Sequence, residues 1–254
     1  MSVGNSPEAS SSHGTPKKVT QEMLETLPSA VKNWLLSVGV AGREPIRNVT
    51  LKQSGTMKLK PEQKEWTASE SEQISFTEPP GFRWEVKMKM GRGMFVTGKD
   101  SFEDGKGSMR IKLAGFLPVS KTLENDKTNQ SSMQRFLMEM GWYPTAALNS
   151  YIHWKEVDAY TTTATMEYRG LTGSAVFFFN EQYELVKVEA WRYKDSEEDA
   201  RPLLCTGTIK AHKVVDGLKV PVEIDISWLL EDGPFTWYRF RASDIRFNSH
   251  SQRF

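Results

Sequence analysis

Arg135, Glu139 and Trp142 are the residues whose types and spacing most directly suggest chemistry in this chain of 254 residues. They stand at i, i+4 and i+7 in the stretch RFLMEMGW, so a helix would place them on one stripe. On a wet surface the arginine–glutamate pair would contribute only about 0.3–0.5 kcal/mol. Inside a protein the same pair must be desolvated and held by further hydrogen bonds. The meaning of this stripe therefore depends on where the helix lies.

Three further polar residues, Gln53, Asp100 and Arg192, fall on faces of predicted strands that are otherwise apolar. Because strand side chains alternate between two faces, each should point inward unless a β-bulge turns it outward. An unpaired polar group in the interior costs about 1–3 kcal/mol, so inward-facing residues need partners. Together with Arg135 and Glu139 they would form a buried cluster, which is either a structural network or the polar end of an apolar pocket.

Tryptophan and methionine would supply the apolar part of such a pocket. The chain has 8 tryptophans and 11 methionines, most of which are expected in the core. Trp84, Met88, Trp142 and Trp154 flank the predicted inner helix or lie on the most apolar strand face. We therefore predict that these four residues line a ligand pocket together with Gln53.

The elements that must position these residues are mostly strands. A first helix is predicted within residues 20–40, where Pro28 suits a first-turn position and divides the stretch, and Gly39 ends it. After residue 42 the hydrophobic period changes from about 3.6 to about 2, and about ten strands follow, joined by turns such as EDGKG and EDGP. The longest gap between them contains a second helix, predicted at residues 129–149.

An antiparallel sheet of about ten strands does not stay flat and open. We therefore predict a mainly β (α+β) fold, in which a large curved antiparallel sheet forms a half-open barrel around the inner helix and the N-terminal helix packs at one end. Residues 19–248 are predicted as a single β-rich domain. Residues 1–18, rich in Ser, Pro and Gly, are predicted as a disordered tail, and residues 249–254 as a C-terminal tail.

Six segments of the chain, in order, resemble a bacterial family of proteins whose function is unknown. The likeness spans residues 27–248, and RFLMEMGWYPTAAL is its most particular part. The resemblance implies a fold similar to the half-barrels of periplasmic lipoprotein carriers, which hold acyl chains between a curved sheet and inner helices. The segments are LPSAVKNWLLSVGV, VTLKQSGTMKLKPEQKEWT, KGSMRIKL, MQRFLMEMGWYPTAAL, IHWKEVD and FFFNEQYELV.

Composition excludes several classes of protein. Lys+Arg and Asp+Glu number 33 and 32, so the near-neutral charge does not favour nucleic acid or an anionic membrane as a partner. Cys205 is the only cysteine, which excludes an intramolecular disulfide. Neither a signal peptide nor a run of about 18 apolar residues is present, so a cytoplasmic protein without a membrane span is expected.

The ligands for a metal site and the motifs for a cofactor are also missing. Of the four histidines, His13 and His250 lie in predicted tails, which leaves too few for a typical transition-metal site. Phosphate-loop, dinucleotide, nucleophile-elbow and zinc-protease motifs do not occur. We predict neither a bound metal nor a cofactor.

The leading hypothesis from the sequence is a binder or carrier of a hydrophobic small molecule, acyl or isoprenoid-like, held between sheet and helix. The alternative is an enzyme in the same cavity, where Glu139 or Asp100 acts as general acid or base and Arg135 or Arg192 stabilises an anion. A purely structural or interaction protein is the third class. Native mass spectrometry would discriminate the first two, because a carrier should retain a lipid-sized adduct and an enzyme should not.

Overall fold

The computed structural model describes residues 18–91, 94–113, 117–121 and 125–249. Except for Lys18 and Ser249, the predicted tails lie outside the described residues. The helices are α1 Gln21–Glu25, α2 Ser29–Val38 and α3 Asp126–Met138, followed by two 3-10 helices, Glu139–Trp142 and Pro144–Leu148. The strands are β1 Asn48–Met57, β2 Thr67–Thr77, β3 Pro80–Gly91, β4 Met94–Glu103, β5 Lys106–Leu113, β6 Leu117–Lys121, β7 Ile152–Asp158, β8 Thr161–Tyr168, β9 Leu171–Phe179, β10 Leu185–Tyr193, β11 Pro202–Val215, β12 Leu218–Leu230 and β13 Gly233–Phe247.

Within the described residues the strands form one sheet of thirteen, in the order β6-β5-β4-β3-β2-β1-β13-β12-β11-β10-β9-β8-β7. Neighbouring strands pair antiparallel throughout this order. The sheet is open, because β6 and β7 stand at its two edges. The predicted continuous antiparallel sheet is confirmed, with the first and last strands of the chain paired at its middle.

The sheet has three strands more than the sequence pattern predicts, namely β2, β6 and β7. In β2, with sequence TASESEQISFT, both faces are polar along most of its length, so the hydrophobic alternation that marks a strand is absent. β6 has only five residues, and β7 falls in the gap that the prediction gave to the inner helix and its flanks. Edge strands are commonly short, which weakens their signal in a sequence.

The inner helix α3 contacts strands from both halves of the sheet. These are β3 to β5 in one half of the strand order and β8 to β10 in the other. These groups are far apart in the strand order, so the sheet curves around α3, and the predicted half-open arrangement is confirmed. The side chains of Met133, Phe136 and Leu137 are fully buried. At the first turn the Asn125 side chain accepts a hydrogen bond from the backbone of Thr128, as a helix cap does.

The α-helix is shorter than the predicted 129–149, because it ends at Met138 and continues as 3-10 turns. Pro144 cannot donate a backbone hydrogen bond, and it begins the second 3-10 helix. Gly141 permits a close approach to β12, since a Cβ there would lie 2.9 Å from Pro221 Cγ. The chain can therefore leave the helix and turn toward β7.

The N-terminal helix is divided into α1 and α2, as Pro28 suggests. α2 ends at Gly39, whose φ of 86° lies in the left-handed region that favours glycine. Trp34 of α2 packs against the rings of Phe177 and Phe179, so this helix covers one end of the sheet. Among the helices of the described ranges, none is long and apolar enough to cross a membrane.

Candidate functional site

A cavity of about 400 Å³ lies between α3 and the concave face of the sheet. Strands β1, β3, β4 and β5 form one wall and β10 to β13 form the opposite wall, while α3 and the first 3-10 helix lie between them. Leu59 and Met109 belong to the lining and are 52% and 39% exposed, so the cavity reaches the surface. Its apolar lining includes Met57, Val86, Val96, Val188, Ile226 and Phe240.

The guanidinium of Arg135 is the centre of a charged cluster on this cavity. Its Nη1 donates to Asp100 Oδ2 at 2.5 Å, and its Nε donates to Glu139 Oε1 at 2.8 Å. Its Nη2 donates to Gln73 Oε1 at 3.2 Å, and Gln73 Nε2 donates to Glu139 Oε2 at 2.6 Å. The side chains of Arg135, Asp100 and Glu139 are 17%, 11% and 16% exposed. The helical i, i+4 pair is therefore part of a largely desolvated network.

The electrostatics of this cluster follow from burial and pairing. Burial, the largest effect, raises the pKa of Asp100 above its usual range, and the guanidinium of Arg135 offsets it only in part. Burial acts to lower the pKa of Arg135, but the carboxylates of Glu139 and Asp100 outweigh it and raise that pKa. The rings of Phe82 and Trp84 lie 4.6 and 5.0 Å from Arg135 Cζ and add a cation–π contribution. Arg135 is thus a fixed cation with its own counter-ions.

A second polar group is centred on Gln53 of β1, on the same inner face. Its Oε1 accepts hydrogen bonds from Ser71 Oγ at 2.8 Å, from Trp84 Nε1 at 3.0 Å and from the hydroxyl of Tyr238 at 3.0 Å. Because the indole N–H of Trp84 can only donate, the atom of the Gln53 amide that faces it must be the oxygen. Burial raises the pKa of Tyr238 to about 12, so its phenol stays neutral. This group is a hydrogen-bonded, uncharged patch of the cavity wall.

Arg192 of β10 lines the same cavity, yet no ion pair within the described part of the chain involves it. Its Nε donates to the backbone oxygen of Ser131 at 3.1 Å, and its Nη1 lies 3.6 Å from Cys205 Sγ. Its Cζ lies 5.6 Å from the ring centroid of Trp228. Burial raises the pKa of the Cys205 thiol, which therefore remains neutral beside this cation.

The model of the Family of unknown function (DUF6920) matches residues 25–247. The chain belongs to this family. The family resemblance of the six sequence segments is thereby confirmed. No curated protein matches the chain.

Two solved structures are similar to this DUF6920 chain at low sequence identity. A crystal structure of a LolA superfamily protein from Nitrosomonas europaea is 14% identical with a TM-score of 0.45, and the match covers 92% of this chain and 96% of that chain. A crystal structure of a beta-barrel-like DUF1849 protein from Brucella abortus is 8% identical with a TM-score of 0.32, covering 81% and 99%. Neither match carries a function to this chain.

The structure brings most of the predicted site residues of this DUF6920 member to one cavity. Lining residues from the prediction are Gln53, Trp84, Met88, Asp100, Arg135, Glu139, Trp142 and Arg192. Trp154 is not in this lining. Its ring packs against Phe177, and its Nε1 donates to the backbone oxygen of Ala147 at 3.0 Å. It lies apart because the chain turns away from the cavity after α3, so Trp154 instead packs beside the second 3-10 helix.

The prediction missed several cavity residues, among them Tyr238 and Trp237. It also missed Gln73, which hydrogen-bonds to Arg135 and Glu139 but is not part of the lining. Gln73 lies on β2, a strand that the sequence pattern did not indicate. Trp237 lines the cavity together with its neighbour Tyr238, because the register between β12 and β13 shifts at this point and leaves Trp237 as an extra residue. Strict alternation would have placed the two rings on opposite faces. A bulge of this kind leaves no clear signal in the sequence.

Within the described ranges, no group of three or more His, Cys, Asp or Glu side chains is placed to hold a metal ion. Of the three carboxylates that line the cavity in the described ranges, Asp100 and Glu139 are engaged by Arg135, and Asp195 lies 3.4 Å from Lys194 Nζ. The donors of the cavity lining include guanidinium and ammonium groups, indole N–H groups and hydroxyls. This set suits an organic ligand with hydrogen-bond acceptors better than a cation.

Proposed function

We propose that the cavity binds a hydrophobic small molecule, acyl or isoprenoid-like, and that the protein acts as its binder or carrier. The observation that supports this proposal is the cavity of about 400 Å³ inside the curved sheet, which reaches the surface beside Leu59. Its volume falls in the range of about 300–1,000 Å³ that is typical of small-molecule sites. Well-packed protein interiors contain few voids larger than a water molecule, so a space of this size favours a binding role.

The chemistry of the walls supports an apolar ligand with a small polar part. Met57 and Met88 supply flexible side chains that adapt to a bound shape, and Trp84 supplies a large flat face. Among the polar groups of the lining are those around Arg135, Gln53 and Arg192. Sites for small molecules commonly combine an apolar lining with a few placed polar groups that fix orientation.

An acid–base enzyme in the same cavity is the second candidate function. Asp100 favours it, because this carboxyl is buried, lines the cavity and has a raised pKa. Its Oδ2, however, is held by Arg135 at 2.5 Å, and Glu139 is held by the same guanidinium. A general acid or base must exchange its proton readily, and an arginine contact stabilises the ionised form. Binding is therefore the better supported proposal.

Native mass spectrometry of the full chain purified from cells tests the proposal. We expect a lipid-sized adduct that disappears when the same sample is denatured, whereas an enzyme should emerge without one. Titration with N-phenyl-1-naphthylamine, an uncharged fluorescent probe, provides the second readout. A bare mass together with no saturable probe binding would overturn the proposed function.

A further inference from the structure

The guanidinium of Arg192 has N–H donors that no acceptor in the described residues uses. Its Nε donates a hydrogen bond to the Ser131 carbonyl, and one N–H of Nη1 points to Cys205 Sγ, which is a weak acceptor. In the described residues, Nη2 has no hydrogen-bond acceptor, and the guanidinium lies within the lining of the cavity. A cation in such a place is stabilised by an anion that binds beside it.

The groups around Arg192 do not supply that anion. The Cys205 thiol is neutral, since burial raises its pKa. Trp228 offers the face of its ring, which interacts with a cation but carries no charge. Asp100 senses the charge of Arg192 electrostatically, but its carboxylate is already bound to Arg135.

The charge of the whole lining also favours an anion. Among the described residues, five cationic and three anionic side chains line the cavity. Lys99 is neutralised by Glu85, which lies outside the lining, so the remaining charged residues leave a net charge of +1. Trp237 also belongs to the lining, and its buried Nε1 has no hydrogen-bond partner in the described part of the chain. The charged lining residues are Lys58, Lys99, Arg135, Arg192 and Lys194, with Asp100, Glu139 and Asp195.

An apolar track leads from Arg192 along the sheet. Cys205 of β11 lies beside it, and the next cavity-lining residues along β11 are Gly207 and Ile209. Gly207 pairs with Val188 of β10 and with Ile226 of β12, so aliphatic side chains flank the track on both sides. Because Gly207 has no side chain, it leaves space between Val188 and Ile226. The linear form of the track suits one extended chain.

We propose that Arg192 binds the head group of an anionic amphiphile, a carboxylate on a single apolar chain that lies along the β10–β12 wall. The planar guanidinium matches a carboxylate with two parallel hydrogen bonds, which a single ammonium cannot do. Arg135 is excluded from this role by its own counter-ions. The inference rests on the proposed function and adds to it the class of ligand.

Competition against bound N-phenyl-1-naphthylamine at about pH 7, where carboxylates are ionised, tests this inference. Decanoate and 1-decanol have the same chain length and differ in the charge of the head. We expect the parent protein to bind decanoate at least about tenfold more tightly than 1-decanol. Arg192→Gln should lose this preference while it keeps its affinity for 1-decanol. Arg192→Lys should prefer decanoate less strongly than the parent but more strongly than Arg192→Gln.

The control is Arg241→Gln, since Arg241 is an exposed arginine paired with Glu223 on the sheet, and it should retain the parental preference. Equal binding of decanoate and 1-decanol by the parent would overturn the inference but leave the proposed function intact. The same holds if Arg192→Gln retains the preference. If Arg192→Gln does not fold, Arg192→Lys decides, and an undiminished preference in that variant overturns the bidentate arrangement. Failure of the parent to bind probe, acid and alcohol alike would instead contradict the proposed function.

Discussion

Arg135 and Arg192 line one cavity and yet have opposite surroundings. Arg135 contacts two carboxylates and the Gln73 amide, whereas Arg192 contacts a carbonyl, a neutral thiol and an aromatic ring. A cation whose partners come from the protein is part of the fold, and its removal leaves charges behind. A cation without such a partner is free to interact with a ligand. The comparison separates the structural charge of this cavity from the charge that we assign to recognition.

The difference arises from strand register. Arg135 stands on α3 opposite the inner faces of β2 and β4, where Gln73 and Asp100 occur, and Glu139 follows one turn later. Arg192 lies near the end of β10, where the inner face of β11 offers Cys205, paired in turn with Trp228 of β12. β11 contains no acidic residue, and no carboxylate of the described residues forms an ion pair with Arg192.

Replacement of Arg135 by Met should give the largest effect. It leaves Asp100 and Glu139 as buried carboxylates without their shared cation, and breaking a buried pair from one side costs about 3–5 kcal/mol. The free energy of unfolding, measured by urea denaturation, should fall by that amount. The matched change Arg241→Met, on the exposed outer face, should cost less than about 1 kcal/mol. Similar losses in both variants would show that the cluster is not desolvated.

Glu139→Gln should have a smaller but clear effect. The substitution keeps the shape, yet its amide nitrogen would face the Gln73 amide nitrogen that now donates to Glu139 Oε2, so two donors would meet. We expect a loss of about 2 kcal/mol in urea unfolding. A change below about 0.5 kcal/mol, as is usual for a wet surface residue, would contradict the buried assignment of this stripe.

Arg192→Gln should change stability less than either substitution in the Arg135 cluster. It removes one hydrogen bond to the Ser131 carbonyl and a cation–π contact, and it leaves no unpaired carboxylate. The expected loss is about 1 kcal/mol or less. A loss as large as that of Arg135→Met would mean that Arg192 is a structural cation, and the contrast between the two arginines would disappear.

Asp100→Asn should give the smallest effect, seen in the pH dependence of stability. Burial, the largest influence, raises the pKa of Asp100 above its ordinary 3.8, while Arg135 and Arg192 act in the opposite direction. The folded protein thus holds this proton at higher pH than the unfolded chain does. The stabilising contribution of Asp100 is fully present below pH 3.8 and is lost as the pH rises through its folded-state pKa. In urea melts across this window, the free energy of unfolding of the parent minus that of Asp100→Asn should fall as the pH rises. A rise of this signed difference with pH would contradict the raised pKa.

The sequence predicts the parts of this site that depend on regular periodicity. Arg135 and Glu139 are four residues apart on a helix with an apolar stripe, and Gln53 and Asp100 alternate with core residues, so their inward placement follows from helix and strand geometry. Gln73 could not be found in this way, because β2 is polar on both faces and only its place between β1 and β3 makes it a strand. Its contacts with Arg135 are therefore a property of the sheet order.

Irregular geometry accounts for the remaining differences. Trp237 reaches the cavity through the register shift between β12 and β13, which no residue pattern marks. Trp154 follows a segment in which the helix stops at Met138, and the turns around Gly141 and Pro144 carry it away from the cavity. Periodic elements can be read from a sequence, whereas bulges and helix ends inside a large sheet depend on tertiary packing.

Gly207→Leu offers the most direct test of the claim that the cavity binds a hydrophobic molecule. A Cβ at Gly207 would meet only ordinary contacts, 3.6 Å from Ile226 Cδ1 and 3.9 Å from the Val188 oxygen, so the new side chain should fill the cavity without disrupting the sheet. The control is Lys210→Leu, an exposed position on the same strand. With N-phenyl-1-naphthylamine we expect Lys210→Leu to bind as the parent does and Gly207→Leu to bind at least about tenfold more weakly. Parental affinity in a folded Gly207→Leu variant would contradict the account, because the probe would then bind elsewhere.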